Sequence, residues 1–214
     1  MGRTIAVVWV YGLSFLLPEL MFFLWYRWSG SLEFALLVLL LPVLYGYIGP
    51  GIATNLLGKW RFKGPLLLGN YYPHHGLIYA SDMMPLLFPA FLGTPQGALS
   101  NAVIVRILLC TAALHGYVLW LHDILILRCG MVEILSPPPG DRSPDEIATS
   151  YAPASFFAIG LSYAAGVLIA YQHIVIGGDD SIGTFLKLLG VGLLLLLSVP
   201  SIVYGIAEKF GGRS

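Results

Sequence analysis

Among the ionisable side chains in the apolar stretches of this chain, where lipid should exclude them, seven are candidates for chemistry. They are Glu19, Asp82, Arg106, His115, His122, Asp123 and His173. Placing an ionisable group inside a bilayer costs about 2.5 kcal/mol or more, so each of these residues needs a partner or a function. These seven residues are therefore the first candidates for a functional site.

Two of the charged residues are predicted to lie at the same depth in the membrane. Glu19 stands seven residues before Tyr26, where the first apolar stretch ends, and Arg106 stands seven residues after Leu99, where the fourth begins. At about 1.5 Å per helical residue, both lie about 10 Å below the surface. We expect an ion pair that fixes the pairing of two helices. The alternatives are a catalytic or proton-carrying Glu19 and an Arg106 that extends to the interface without a partner.

A second group is predicted near the cytoplasmic surface. Asp82 is the sixth residue of the third apolar stretch, and His122 and Asp123 precede the end of the fourth by four to five residues. Carboxylates and imidazoles at one depth suit general acid–base catalysis. Adjacent helical residues point about 100° apart, however, so His122 and Asp123 cannot share one small site unaided. The alternative is interfacial side chains that bond to helix ends.

These considerations give a set of candidate site residues. The predicted catalytic residues are Glu19, Asp82, His122 and Asp123. The predicted substrate-binding residues are Arg106, His115, His74 and His75, the last two of which lie in the loop before the third stretch. No spacing matches a zinc motif such as HExxH, so no metal site is predicted.

The remaining histidines do not predict a cofactor. His115 and His122 are seven residues apart and share one face of the fourth stretch, whereas His173 lies near the outer end of the fifth. Two histidines that bind one haem must lie at matched depth on two helices, and His115 and His173 do not. A buried histidine bonded to a neighbouring helix is the more common arrangement.

The composition assigns the chain to the membrane. Of its 214 residues, 57% are hydrophobic and only 10% are charged, and the mean hydropathy is +0.82. Soluble domains carry about 25% charged residues, so a soluble globule and a disordered chain are both excluded. The 11 basic and 11 acidic residues balance, which leaves no field for a nucleic acid. The expected partners are the lipid bilayer and an apolar or lipid substrate.

Six stretches approach the roughly 20 apolar residues that a membrane-spanning helix needs. Only helices can satisfy the backbone in these long apolar runs, so we predict an all-α, polytopic bundle that forms one transmembrane domain over residues 1–214. The third stretch contains Pro85, Pro89 and Pro95 and is predicted to be either a broken, re-entrant element or a kinked helix. The predicted spans are Thr4–Tyr26, Leu32–Ala53, Leu77–Thr94, Leu99–Leu127, Tyr151–Ile176 and Thr184–Ala207.

The distribution of lysine and arginine predicts the orientation. Basic residues concentrate in the N-terminus, the loop at 55–76, the loop at 136–153 and the C-terminus, which places both termini in the cytoplasm. A plasma membrane is the expected location. Ala158, Ser162, Gly166 and Ala170 recur every four residues and predict a face on which another helix packs closely.

Three functions are compatible with these features. The first is a membrane-embedded enzyme that performs acid–base chemistry, as isomerisation, cyclisation or group transfer, on a lipid or isoprenoid. Its substrate would occupy an aromatic-lined pocket with a carboxylic acid at one end. The second is a small transporter or proton-coupled carrier, which at this size would have to form a homo-oligomer. The third is a structural subunit of a membrane complex.

Overall fold

A computed structural model of the chain describes residues 2–64, 66–94, 97–135 and 142–211. Most of these residues are helical, as the sequence predicts. Three π-helical segments, Val8–Leu13, Ile52–Leu56 and Tyr171–Ile176, continue α-helices without interruption. The α-helices are α1 (Gly2–Val7), α2 (Ser14–Ser29), α3 (Leu32–Gly51), α4 (His75–Phe91), α5 (Asn101–Arg128), α6 (Pro144–Ala170) and α7 (Ile182–Gly211).

Five helical stretches are long and apolar enough to cross a membrane, and they support an integral, multi-pass membrane protein. They are Arg3–Ser29, Leu32–Leu56, Asn101–Arg128, Pro144–Ile176 and Ile182–Ala207. The predicted third span corresponds to α4, whose 17 residues measure about 25 Å. That length is shorter than the hydrocarbon core of about 30 Å. The count of six spans, the orientation and the plasma-membrane location stay predictions.

Helix α4 lies inside the bundle, where it packs on α2, α3 and α5. Its residues Met83, Leu87 and Phe91 are fully buried. The helix is continuous, although Pro85 and Pro89 lie within it. Pro95 falls outside the described residues. Neighbouring helices therefore surround the short element that carries Asp82.

Helices α3 and α4 are antiparallel and approach each other closely at two glycines. A Cβ atom on Gly46 would lie 2.9 Å from the Cα of Gly76, and one on Gly76 would lie 2.6 Å from the carbonyl oxygen of Val43. No side chain fits between the two backbones here. This crossing fixes the start of α4, including the two residues His74 and His75 that precede and begin it.

Two short strands close one end of the bundle and are not predicted by the sequence analysis. Strand β1 (Trp60–Phe62) pairs antiparallel with β2 (Val132–Ile134), so that Arg61 faces Glu133. The Glu133 carboxylate lies 2.8 Å from Arg61 Nη2 and 3.1 Å from Lys63 Nζ. Hydrogen bonds from Arg61 and then Lys63 hold the pKa of Glu133 below its usual value.

Helix α6 begins before its predicted start at Tyr151. The side chain of Ser143 accepts from the backbone of Glu146, and Glu146 accepts from the backbone of Ser143, which is a capping box. Arg128 at the end of α5 pairs with Asp145 in the same turn. The second half of the predicted 136–153 loop is therefore helix, and residues 136–141 lie outside the described residues. The four small residues of the predicted packing face are buried.

Candidate functional site

A cavity of about 280 Å³ opens between the helices at the end that carries the sheet. This volume lies near the lower limit of ligand pockets, which measure about 300–1,000 Å³. Residues of α3, α4, α5, α6 and α7 contribute to its wall, and so do both strands. Among the described residues that line it, Asp123 is the one acid and Lys59 the one base.

The Asp123 carboxylate is oriented by a tyrosine of the next helix. The Tyr151 hydroxyl donates a hydrogen bond of 2.8 Å to Oδ2 of Asp123. Within the described part of the chain, Oδ1 has no hydrogen-bond partner and no lysine or arginine forms an ion pair with this carboxylate. Because both residues line the cavity, Asp123 offers it an oxygen that can exchange a proton with a bound molecule.

Asp82 and His122 lie close together, as the sequence predicts, but Trp9 covers them. Oδ2 of Asp82 lies 3.5 Å from Nδ1 of His122, and both side chains are about 8% exposed. Trp9, from the π-helical segment after α1, donates from Nε1 to Oδ1 of Asp82 at 2.6 Å. Its ring also stacks on His122, with 4.7 Å between centroids. The lining of the cavity does not include Asp82, His122 or Trp9.

His122 and Asp123 are adjacent in the sequence, but their side chains thus lie in two different surroundings. His122 faces α4 and the N-terminal segment, whereas Asp123 faces the cavity and α6. This separation follows from the angle of about 100° between consecutive side chains of a helix. The four predicted catalytic residues therefore do not form one site.

His74 and His75 occupy an aromatic layer at the start of α4. The Nε2 atom of His74 lies 3.0 Å from the carbonyl oxygen of Val10, and its ring stacks on Tyr72. His75 is 2% exposed, and neither ring nitrogen has a partner among the described residues. Phe62, 4.6 Å from the His75 ring between centroids, lies between this histidine and the cavity. Neither histidine lines the cavity.

His115 is buried in the contact between α5 and α6. Its Nδ1 atom lies 2.8 Å from the carbonyl oxygen of Thr111 in its own helix. A Cβ atom on Gly160 would lie 2.7 Å from the Cβ of His115, so the absence of a side chain on Gly160 leaves room for the imidazole. His173 is exposed near the other end of the bundle. The two histidines do not meet.

The expected ion pair between Glu19 and Arg106 is wrong. Glu19 is exposed on α2 and forms no ion pair within the described ranges. Arg106 lies 3.4 Å from the carbonyl oxygen of Ala90 and donates to the Thr94 hydroxyl at 3.2 Å. The error has a physical reason: equal depth does not make two helices neighbours, and α4 packs against both α2 and α5.

Four aromatic residues around the acids and the cavity are not predicted from the sequence. Tyr151 binds Asp123, Tyr79 and Tyr204 line the same cavity, and Trp9 binds Asp82. In a chain with 12 tyrosines and 5 tryptophans, no spacing distinguishes these four. The π-helical turn that contains Trp9 is the kind of helix defect that often marks functional positions, but it has no sequence signature here.

Within the described ranges, no three His, Cys, Asp or Glu side chains are grouped so that they could hold a metal ion. Comparison of the chain with models of protein families, with curated proteins and with solved structures gives no match.

Proposed function

We propose that this protein is a membrane-embedded enzyme that transfers protons to and from an apolar or lipid substrate, with Asp123 as the acid–base residue. The observation that carries the proposal is the Asp123 carboxylate in the wall of an aromatic cavity, with Oδ2 held by Tyr151 and no second hydrogen-bond partner among the described residues. Because Tyr151 fixes Oδ2 of Asp123, Oδ1 is also held in one orientation. This is the arrangement that a general base needs.

The surroundings of the carboxylate support this assignment. The cavity lies between apolar helices at the end that carries the sheet, where an apolar substrate from the bilayer would bind. Aromatic and aliphatic side chains form most of its wall, and Tyr45, Ser155 and Tyr204 add hydroxyl groups. Apolar cavities with a few convergent polar groups are the usual form of small-molecule sites.

The proposed step is a proton transfer without net oxidation. Oδ1 of Asp123 removes a proton from a substrate carbon next to a double bond. The electrons of the broken C–H bond form a new double bond to the adjacent carbon, and the electrons of the original double bond move to its far carbon. The carboxylic acid then returns a proton to another carbon of the same substrate. Tyr151 holds the carboxyl group in one orientation by donating to Oδ2. The product is an isomer, and the enzyme regains its starting state.

Deuterium uptake tests this step without knowledge of the substrate. The purified protein is incubated in D₂O with a total lipid extract of its host membranes, and the lipids are analysed by mass spectrometry. The proposal predicts that one lipid class gains deuterium from the solvent. Asp123→Asn should reduce the rate by about 100-fold or more, the usual size of a general acid–base contribution. Tyr151→Phe should reduce it by about tenfold.

Glu133→Gln is the matched control, because it also removes one carboxylate but outside the cavity. It should leave the rate unchanged. If no lipid gains deuterium or changes mass with the wild-type protein, the proposed function is wrong, and the carrier or the structural subunit takes its place.

A further inference from the structure

Three charged side chains of the described residues are exposed on the membrane-spanning helices away from the helix ends. They are Glu19, Arg106 and Lys187. Lys187 stands three residues after Thr184, where the sixth apolar stretch begins, so its long side chain can extend to the surface. Glu19 and Arg106 lie deeper, about 10 Å below the surface. A charged group that faces lipid at this depth is costly, so Glu19 and Arg106 each call for a partner.

Helix α2 turns Glu19 away from α3. Trp28 lies nine residues after Glu19, which is about two and a half helical turns, so the two side chains point in opposite directions. Trp28 packs on Phe34 of α3 and on Tyr171. Glu19 therefore faces out of the bundle on the side of α2 that is remote from α3. Since α7 packs on α3 and α6, Glu19 also lies away from the helix that carries Lys187.

Arg106 is held beside the end of α4 with part of its guanidinium group unused. Its Nη2 atom donates to the Thr94 hydroxyl at 3.2 Å and lies 3.4 Å from the carbonyl oxygen of Ala90. Within the described ranges, Nε and Nη1 have no partner, so the guanidinium can still bind a carboxylate. Helix α4 packs on both α2 and α5, so Glu19 and Arg106 are carried by the two helices that flank it.

From their depth, charge and position we infer that Glu19 and Arg106 mark a surface that binds a second copy of this chain, with Glu19 of each copy paired to Arg106 of the other. A twofold axis along the membrane normal keeps every residue at its depth, so residues of equal depth can meet across it. In such a dimer α2 of one copy lies against α5 of the other. Both charges of both copies are then neutralised by two ion pairs, although α4 keeps the two residues apart within one chain. The inference does not depend on the proposed function.

The dissociation constant of the dimer tests the inference. Fluorescence energy transfer between labelled copies, measured as the protein is diluted in vesicles of a zwitterionic lipid, should show that the wild-type chain dimerises. Glu19→Gln and Arg106→Gln should each raise the dissociation constant by about tenfold or more. Lys187→Gln is the matched control, because it also removes an exposed basic side chain from a membrane-spanning helix, but outside this surface. It should leave the dissociation constant unchanged.

Exchange of the two charges separates this pair from a general effect of charge. Glu19→Arg and Arg106→Glu should each abolish the dimer, because each places two like charges opposite one another. The chain that carries both substitutions should regain a dissociation constant within about tenfold of the wild-type value. Because Glu19 and Arg106 meet only between copies, this coupling is expected in dissociation of the dimer and not in unfolding of a single chain.

Cross-linking decides the question even where an exchanged variant does not fold. In a chain whose own cysteines are removed by Cys110→Ser and Cys129→Ser, copies with Glu19→Cys are co-expressed with copies that carry Arg106→Cys. A short, membrane-permeant bismaleimide should join the two kinds of copy in the mixture but not either kind alone. A wild-type chain that stays monomeric, equal cross-linking of either kind alone, or undiminished dimerisation of both glutamine variants would each overturn the inference.

Discussion

The indole Nε1 of Trp9 donates a hydrogen bond of 2.6 Å to Oδ1 of Asp82, and this bond fastens the N-terminal segment to the buried helix α4. The other oxygen of the same carboxylate faces His122 on α5. Asp82 thus joins three elements that are far apart in the sequence. Since Trp9 covers the pair, Asp82 and His122 have the surroundings of a structural centre rather than of an open site.

Trp9→Phe should destabilise the protein because it keeps an aromatic ring against His122 but removes the donor to Asp82. Leaving a buried acceptor without its donor costs about 1–3 kcal/mol. The expected result is a lower Tm in detergent, measured by tryptophan fluorescence or circular dichroism. Asp82→Asn should lower the Tm similarly, and an unchanged Tm in both variants would contradict the structural role.

Gly76→Ala should destabilise the crossing of α3 and α4. The added methyl group would lie 2.6 Å from the carbonyl oxygen of Val43 and 2.5 Å from Tyr47, so the two helices would have to separate. Overpacking of this kind costs about 1–3 kcal/mol. Gly190→Ala is the matched control, because a Cβ atom there meets open space in an exposed helical position. Thermal unfolding of both variants should show a decrease for Gly76→Ala alone.

Acid should weaken the pairing of the two strands through Glu133. Its pKa in the folded protein is lowered by Arg61 and Lys63, so its stabilising effect is present above the ordinary glutamate pKa of about 4.3. The effect is lost as the pH falls through the lowered pKa. Glu133→Gln should therefore lower the Tm at pH 7 and converge with the wild type in strong acid. An equal difference in Tm between the two proteins at pH 7 and in strong acid would contradict this role of Glu133.

Glu19 and Arg106 should act independently in a double-mutant cycle. Because the two side chains form no ion pair, the effects of Glu19→Gln and Arg106→Gln on the free energy of unfolding should add within about 0.5 kcal/mol. Arg106→Gln alone should be mildly destabilising, since it removes the bonds to Ala90 and Thr94. A coupling energy well above about 0.5 kcal/mol would show that the two side chains do form the ion pair expected from the sequence.

The apolar helices could be predicted from the sequence because hydropathy over 20 residues depends on composition alone. The pairing of Asp82 with His122 could also be predicted, since both lie near the same predicted surface. Which helices lie next to each other could not be predicted from the sequence. The position of α4 between α2 and α5 separates Glu19 from Arg106, and no local pattern encodes it. The contacts of Trp9 and Tyr151 depend on this same arrangement.

The two strands also could not be predicted from the sequence. Trp60–Phe62 and Val132–Ile134 are only three residues long each, and they pair across about 70 residues of chain. A run of three residues is too short for an alternating pattern to stand out. The cavity that contains Asp123 is partly lined by these strands, so it could not be located before they were placed.

The most direct test compares Asp123→Asn with Asp82→Asn in the deuterium-uptake assay, with rates divided by the amount of folded protein. Both changes remove one buried or half-buried carboxylate, but only Asp123 lines the cavity. If Asp123 is the acid–base residue, Asp123→Asn loses uptake by about 100-fold or more, whereas Asp82→Asn keeps it per folded molecule. Full uptake in Asp123→Asn, or its loss only in Asp82→Asn, would contradict the assignment.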